Sequence, residues 1–208
     1  MGRLQGVLSL LSAADLGGFA IAGALERSGV PSTDVDYVVL GQVLQAGVGQ
    51  NAARQAAIAG GLGMAIPALT INKVCLSGID AIALADQMIR AGEFDTVVAG
   101  GMESMSQAPH LLIGSREGKK YGDWTMIDAL AFDGLTCAFD ECVMGEATER
   151  YNDRYALTRQ EQDAVAEASH RRAAAAQSAG ILAEEITPVR IPQRKGDDIV
   201  VTDDEGIR

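Results

Sequence analysis

Residues 67–104 read as strand, tight turn, long helix and second strand, which is a βαβ unit. Residues 67–74 (PALTINKV) are short and apolar, β-branched at the centre, and bounded by Pro67. Residues 79–92 read as helix, and 96–99 (TVVA) as a strand ended by Gly100 and Gly101. In that helix only Asp80, Asp86, Gln87 and Arg90 are polar, which predicts a buried central helix covered on both sides.

The unit places Cys75 where a strand turns into a helix, with Gly78 allowing close approach of the backbone. The first N–H groups of a helix lack partners within it and carry partial positive charge. A thiol there is biased towards thiolate, and the same N–H groups are able to hold the oxygen of a tetrahedral acyl intermediate. The logic is that of a nucleophile elbow with Cys in the Ser role. On spacing alone, a small buried apolar residue explains Cys75 equally well.

Before this unit, Ser12 and Asp15 form a capping box for a helix running to about Ser28, though Gly17 and Gly18 weaken it. Residues 35–44 read as a strand, and 52–59 as a helix. Between them Gly47-Val-Gly49-Gln-Asn-Ala52 matches G-x-G-x-x-A, a pattern of dinucleotide sites. The acidic residue that should follow to hold the ribose is missing, so that reading is weak. The strands at 35–44, 68–74 and 96–99 alternate with helices and predict a mixed, largely parallel sheet. A second capping box, Thr158 to Glu161, starts a helix ending near Ser178, and 186–191 with 199–202 suggest a hairpin.

Composition sets limits. The 208 residues are 48% hydrophobic and 4% aromatic, with 24 glycines, enough for one aliphatic core and an appended subdomain. A net charge of −11 argues against nucleic acid and against an anionic membrane surface as partners. No stretch approaches the roughly 18 apolar residues of a membrane span. Cys75, Cys137 and Cys142 show no paired spacing and suggest free thiols in a reducing compartment, so a cytoplasmic location is expected. No metal site is expected.

The segment NKVCLSGIDAIALADQMIRAGEFDTVVAGGMESMSQAPHLL closely resembles the thiolases, which make or cleave 3-ketoacyl-CoA. Val74-Cys75-Leu76-Ser77-Gly78 carries the nucleophile in that resemblance, and Gly100-Gly101-Met102-Glu103-Ser104-Met105-Ser106 is the second specific stretch. The resemblance implies a layered α/β domain at 1–115, its first strand missing, and a helix-rich loop subdomain covering CoA at 116–208. The second sheet domain is expected to lie outside the chain, together with the catalytic His and second Cys. Neither His110 nor His170 matches that histidine's motif, and the chain as it stands is expected to be an inactive fragment. The resemblance also assigns Cys75 as the catalytic nucleophile and Leu135 and Met144 as CoA or pantetheine contacts. Val143 stands where the family often has His. Coenzyme A and acetyl-CoA are implied as substrates with no tightly bound cofactor, in a homo-oligomer, dimer or tetramer, with Arg54 near the subunit interface. The implied reaction joins two acetyl-CoA into acetoacetyl-CoA and CoA. A degradative 3-ketoacyl-CoA thiolase, a ketosynthase-like condensing enzyme and a non-catalytic CoA-binding module are the rival readings.

Overall fold

The computed structural model describes residues 1–208, which fall into two compact units. One is Leu10–Leu135; the other joins Met1–Ser9 to Thr136–Arg208. Residues 116–135, grouped from sequence with the loop subdomain, pack with the first unit, and the first nine residues pack with the second.

In the first unit, helix α1 (Ala13–Ser28) starts at the Ser12–Asp15 capping box and stops at Gly29, whose φ of 67° is left-handed. Strand β1 (Tyr37–Gly41), helix α2 (Ala52–Ala59), strand β2 (Ala68–Ile71), helix α3 (Ser77–Arg90) and strand β3 (Val97–Gly101) follow. The sheet order is β2-β1-β3, and both pairings are parallel. The α/β class therefore holds, while the antiparallel component expected within this sheet is absent; β4 (His110–Leu111) and β5 (Ile127–Asp128) form a separate antiparallel pair. Strand β1 is central and nearly wholly buried, as its Val-Val-Leu run requires.

The core between α1, α2 and the sheet is built on small residues. Ala53 and Ala56 are fully buried in it beside Val38. A Cβ on Gly17 would stand 2.9 Å from the Ala56 Cβ, and one on Gly18 2.6 Å from the Ala59 Cβ. The two glycines that weaken α1 by propensity are what lets it lie against α2.

Helix α3 differs from its expectation. Only Ser77, Ala81 and Ala85 are buried, at spacings of one helical turn, and this stripe faces β1 and β3. Ile79 is 68% exposed and Ile82 56%. The helix is covered on one side, not two: small residues meet the sheet while its branched side chains point away.

In the second unit, α4 (Met144–Tyr155) and α5 (Arg159–Ser178) contain no buried residue. Strands β6 (Val189–Ile191) and β7 (Ile199–Val201) form the antiparallel hairpin. The two ends of the chain are tied by hydrogen bonds. The Glu205 carboxylate accepts the N–H groups of Arg3 at 2.8 Å and Val7 at 3.2 Å, and Arg3 Nε donates to the Glu205 carbonyl at 2.8 Å. The N-terminal ammonium pairs with Asp204. No helix is long and apolar enough to cross a membrane.

Candidate active site

Cys75 lies in the turn between β2 and α3, one residue before the Leu76 N-cap and two before the first helical residue. Its thiol is free and exposed, so the reading of a buried apolar cysteine does not hold. The turn is held by polar contacts. Asn72 Oδ1 accepts the Val74 N–H at 2.9 Å, and Asn72 Nδ2 donates to the Val43 carbonyl at 3.3 Å. Ser77, buried, accepts the Lys73 N–H at 2.8 Å and donates its own hydroxyl proton to the Val74 carbonyl at 2.6 Å. Lys73 Nζ pairs with Asp80 Oδ1 at 2.5 Å on the surface. Between these contacts Val74 takes φ of 51°, a conformation that is costly for a β-branched residue. Such strain persists only where surrounding contacts over-determine it, and it gathers at functional turns.

The first turn of α3 has its N–H groups partly used. Ser77 donates to the Val74 carbonyl at 3.1 Å and Asp80 to the Leu76 carbonyl at 2.8 Å. Those of Gly78 and Ile79 fall among the donors that a helix start leaves unpaired, three and four residues after Cys75. A positively polarised helix end close in sequence to an exposed sulfur is suited to receive an oxyanion.

The helix start reaches this position because the sheet gives way to it. A Cβ on Gly41, the last residue of β1, would stand 2.4 Å from the Ser77 carbonyl carbon. A Cβ on Gly101, at the end of β3, would stand 3.2 Å from the Gly78 Cα. Two adjacent strands thus end in glycine where α3 begins. Glu103 secures the loop leaving β1: its carboxylate accepts the N–H of Val43 at 2.8 Å and that of Leu44 at 3.3 Å. This is why the strand expected to run to residue 44 ends at Gly41. Gly41, Ser77 and Glu103 were missed as positioning residues; the signal available was a lone glycine ending an apolar run.

The G-x-G-x-x-A segment has another use. Asn51 caps α2 by accepting the Arg54 N–H at 3.3 Å, and Thr70 Oγ1 accepts the Ala53 N–H at 2.9 Å. Two of the N–H groups at the start of α2 are thus already satisfied within the chain. Arg54 donates to the carbonyls of Ile66, at 2.7 Å, and Met64, tying α2 to the loop before β2.

Leu135 ends the π-helical segment Leu130–Leu135, and Met144 is the first residue of α4; both are exposed. They belong to different compact units, and Cys75 shares a unit with Leu135 alone. His110 is exposed in β4, and His170 in α5 accepts the Arg208 N–H through Nδ1 at 3.3 Å. A separate cavity of about 220 Å³ is lined by Ser12, Gln42, Gln55 and Ser104, among others, and by none of the three predicted site residues. No group of three or more His, Cys, Asp or Glu is placed to hold a metal.

A family model described as the N-terminal domain of thiolase matches residues 1–208. The chain belongs to the thiolase family. It is 60% identical over 208 residues to a probable acetyl-CoA acetyltransferase of Mycobacterium tuberculosis (strain ATCC 25618 / H37Rv), covering 100% of this chain and 53% of that protein. It is 49% identical over 205 residues to an acetyl-CoA acetyltransferase of Thiocystis violacea, covering 99% of this chain and 52% of the relative. Against an acetyl-CoA acetyltransferase of Cupriavidus necator it is 49% identical over 208 residues, with 53% of that protein covered. This thiolase chain thus spans about half the length of the curated relatives it matches.

Proposed function

We propose that this chain supplies the acyl-accepting half of an acetyl-CoA C-acetyltransferase, with Cys75 as nucleophile. The observation that carries the reading is an exposed thiol in a strained, polar-clamped turn at the start of α3. The Cys75 thiolate attacks the thioester carbonyl of acetyl-CoA, and the oxyanion formed is met by the free N–H groups of the α3 start. The carbon–sulfur bond to CoA then breaks. CoA leaves as thiolate and takes up a proton, and the acetyl group stays on Cys75. A second acetyl-CoA, deprotonated at its α-carbon, attacks that acyl group and gives acetoacetyl-CoA while Cys75 regains its thiolate. The histidine that activates the thiol and the second cysteine that moves the α-proton are assigned to residues outside this chain.

Leu135 and Met144 are proposed to line the CoA or pantetheine path, and residues 116–208 to cover it. The same reading makes the working enzyme a homo-oligomer, dimer or tetramer, in the cytoplasm, with acyl-CoA rather than nucleic acid or membrane as its partner and a role in fatty acid metabolism.

The test uses the full gene product that contains this chain. Brief incubation with acetyl-CoA, acid quenching and peptide mapping should find an acetyl group on the peptide bearing Cys75, removable by hydroxylamine. Cys75→Ser should abolish the label and lower turnover by orders of magnitude. Label on another residue, or full turnover by Cys75→Ser, would sink the reading.

A further inference from the structure

The sequence shows Cys137 and Cys142 without a partner spacing of the usual kind, but the fold brings them together. Thr136 and Val143 form an antiparallel bridge, which makes the two cysteines the next opposed pair along it. The Cys137 N–H donates to the Cys142 carbonyl at 2.9 Å, and the Glu141 N–H returns to the Cys137 carbonyl at 3.0 Å. Glu141 takes φ of 51° to close this loop. Opposed residues of an antiparallel pair present their side chains on one face, with Cα atoms about 5.5 Å apart when hydrogen-bonded. That separation lies within the range of disulfides.

The geometry points to Cys137 and Cys142 as a reversible dithiol–disulfide pair that closes the loop between them. The two sulfurs differ in a way that sets an order of reaction. Cys137 is partly exposed; its Sγ lies 3.6 Å from Asp140 Oδ2 and accepts the Asp140 N–H at 3.4 Å. Cys142 is 6% exposed. The Arg150 guanidinium lies within its electrostatic reach and is held above its ordinary pKa by the Glu146 hydrogen bond first and by Cys142 next. Cys137 therefore meets an external oxidant, and Cys142 resolves the product.

With a low-molecular-weight disulfide as oxidant, the Cys137 thiolate attacks one of its sulfurs. The S–S bond breaks and one thiolate leaves. Cys142 thiolate then attacks Cys137 Sγ in the mixed disulfide, and the second thiolate leaves. The oxidant is reduced to two thiols, which take the two cysteine protons, and the cysteines are oxidised to one disulfide. Neither sulfur enters the acyl transfer proposed above, so this inference stands apart from that reading.

The test equilibrates the chain with glutathione mixtures of graded oxidised-to-reduced ratio, in buffer and in concentrated urea. Thiols are trapped with iodoacetamide and tryptic peptides are mapped; both cysteines fall in the peptide 121–150. That peptide should escape alkylation at both cysteines and weigh two hydrogen atoms less than its unalkylated dithiol form, revert with dithiothreitol to the doubly alkylated form, and do so at a several-fold lower oxidant ratio in buffer than in urea. In Cys142→Ser, Cys137 should accumulate a glutathione adduct; in Cys137→Ser, Cys142 should remain a thiol. An equal or higher ratio in buffer, pairing with Cys75 or between chains, or an adduct preferring Cys142 would each overturn the proposal.

Discussion

The two compact units of this chain are held by different physics. In Leu10–Leu135 the chain buries alanine and β-branched side chains against a parallel sheet, and glycines remove the last ångströms between backbones. In Met1–Ser9 with Thr136–Arg208, Cys142 and Ile191 are the buried apolar residues, and α4 and α5 bury none. What orders the second unit is polar. The capping box of Thr158 and Glu161 starts α5, and i,i+4 pairs such as Glu146–Arg150 and Asp163–Arg159 line the helices. The Glu205 clasp joins the chain ends. Exposed pairs of that kind are worth about 0.3–0.5 kcal/mol each, whereas a buried leucine-sized side chain is worth about 1.5–3 kcal/mol. Close packing fixes geometry to fractions of an ångström; a polar lattice on the surface does not. The proposed nucleophile belongs to the unit that fixes geometry.

Steric substitution in the packed unit should break the comparison most visibly. Gly41→Ala forces a Cβ against the Ser77 backbone, and we expect a loss of about 3 kcal/mol in urea unfolding, with Cys75 acylation lost alongside. Gly145→Ala, within α4 and with nothing within 4 Å of its Cβ, should cost no stability and add up to about 1 kcal/mol. If both variants behaved alike, the contrast in packing would be wrong.

Ser77→Ala leaves the Lys73 N–H without its acceptor and takes from the Val74 carbonyl one of its two donors, at a cost of about 1 kcal/mol. Denaturant titration measures the loss, and slower acylation should accompany it because Val74 is then free to relax. An unchanged midpoint would show that the turn does not depend on this hydroxyl.

Thr158→Ala removes the cap of α5 and should cost that helix about 1 kcal/mol, seen as faster amide exchange in residues of its first turns. Exchange in α1–α3 should not move. If it did, the two units would not be energetically separate.

The smallest effect is local and acid-dependent. The Arg3 N–H first, then the Val7 N–H, hold the Glu205 carboxyl below its ordinary 4.5. A carboxyl lowered by folding contributes stability that is complete above the unfolded value and disappears as pH falls through the folded one. Below about pH 4.5 the amides of Arg3 and Val7 should therefore lose protection, measured against their intrinsic exchange rate at each pH, in step with acidification. Glu205→Gln should show low protection of these amides already at neutral pH, with little further change on acidification. Asp36, lowered chiefly by the Thr96 N–H and then by that of Asp95, should behave likewise at the start of β3 and only below its ordinary 3.8.

Much of the fold is legible without coordinates because local signals and final structure agree. Both capping boxes mark true helix starts, and the Val-Val-Leu run of β1 is the central strand. The nucleophile segment was legible through its resemblance to thiolases, and its turn lies where the strand–helix reading puts it. Helix α4 was missed because Val143 offers no side-chain cap and Gly145 interrupts its first turn; its one sequence signal is the Glu146–Arg150 spacing. The burial of α3 was misjudged because an all-round apolar composition does not say which side finds a partner. Alanine and serine, not isoleucine, turned out to be the residues small enough to meet the sheet.

Sequence by itself determined the alternation of strands and helices, the helix starts, and a cysteine at a strand-to-helix turn, since periodicity and capping are local properties of neighbouring residues. Tertiary structure decided what depends on residues far apart in the chain. The close fit of Gly41 and Gly101 against the start of α3 exists only after two strands and a helix have met. So does the hold of Glu103 on the loop after β1, since its carboxylate comes from sixty residues away along the chain.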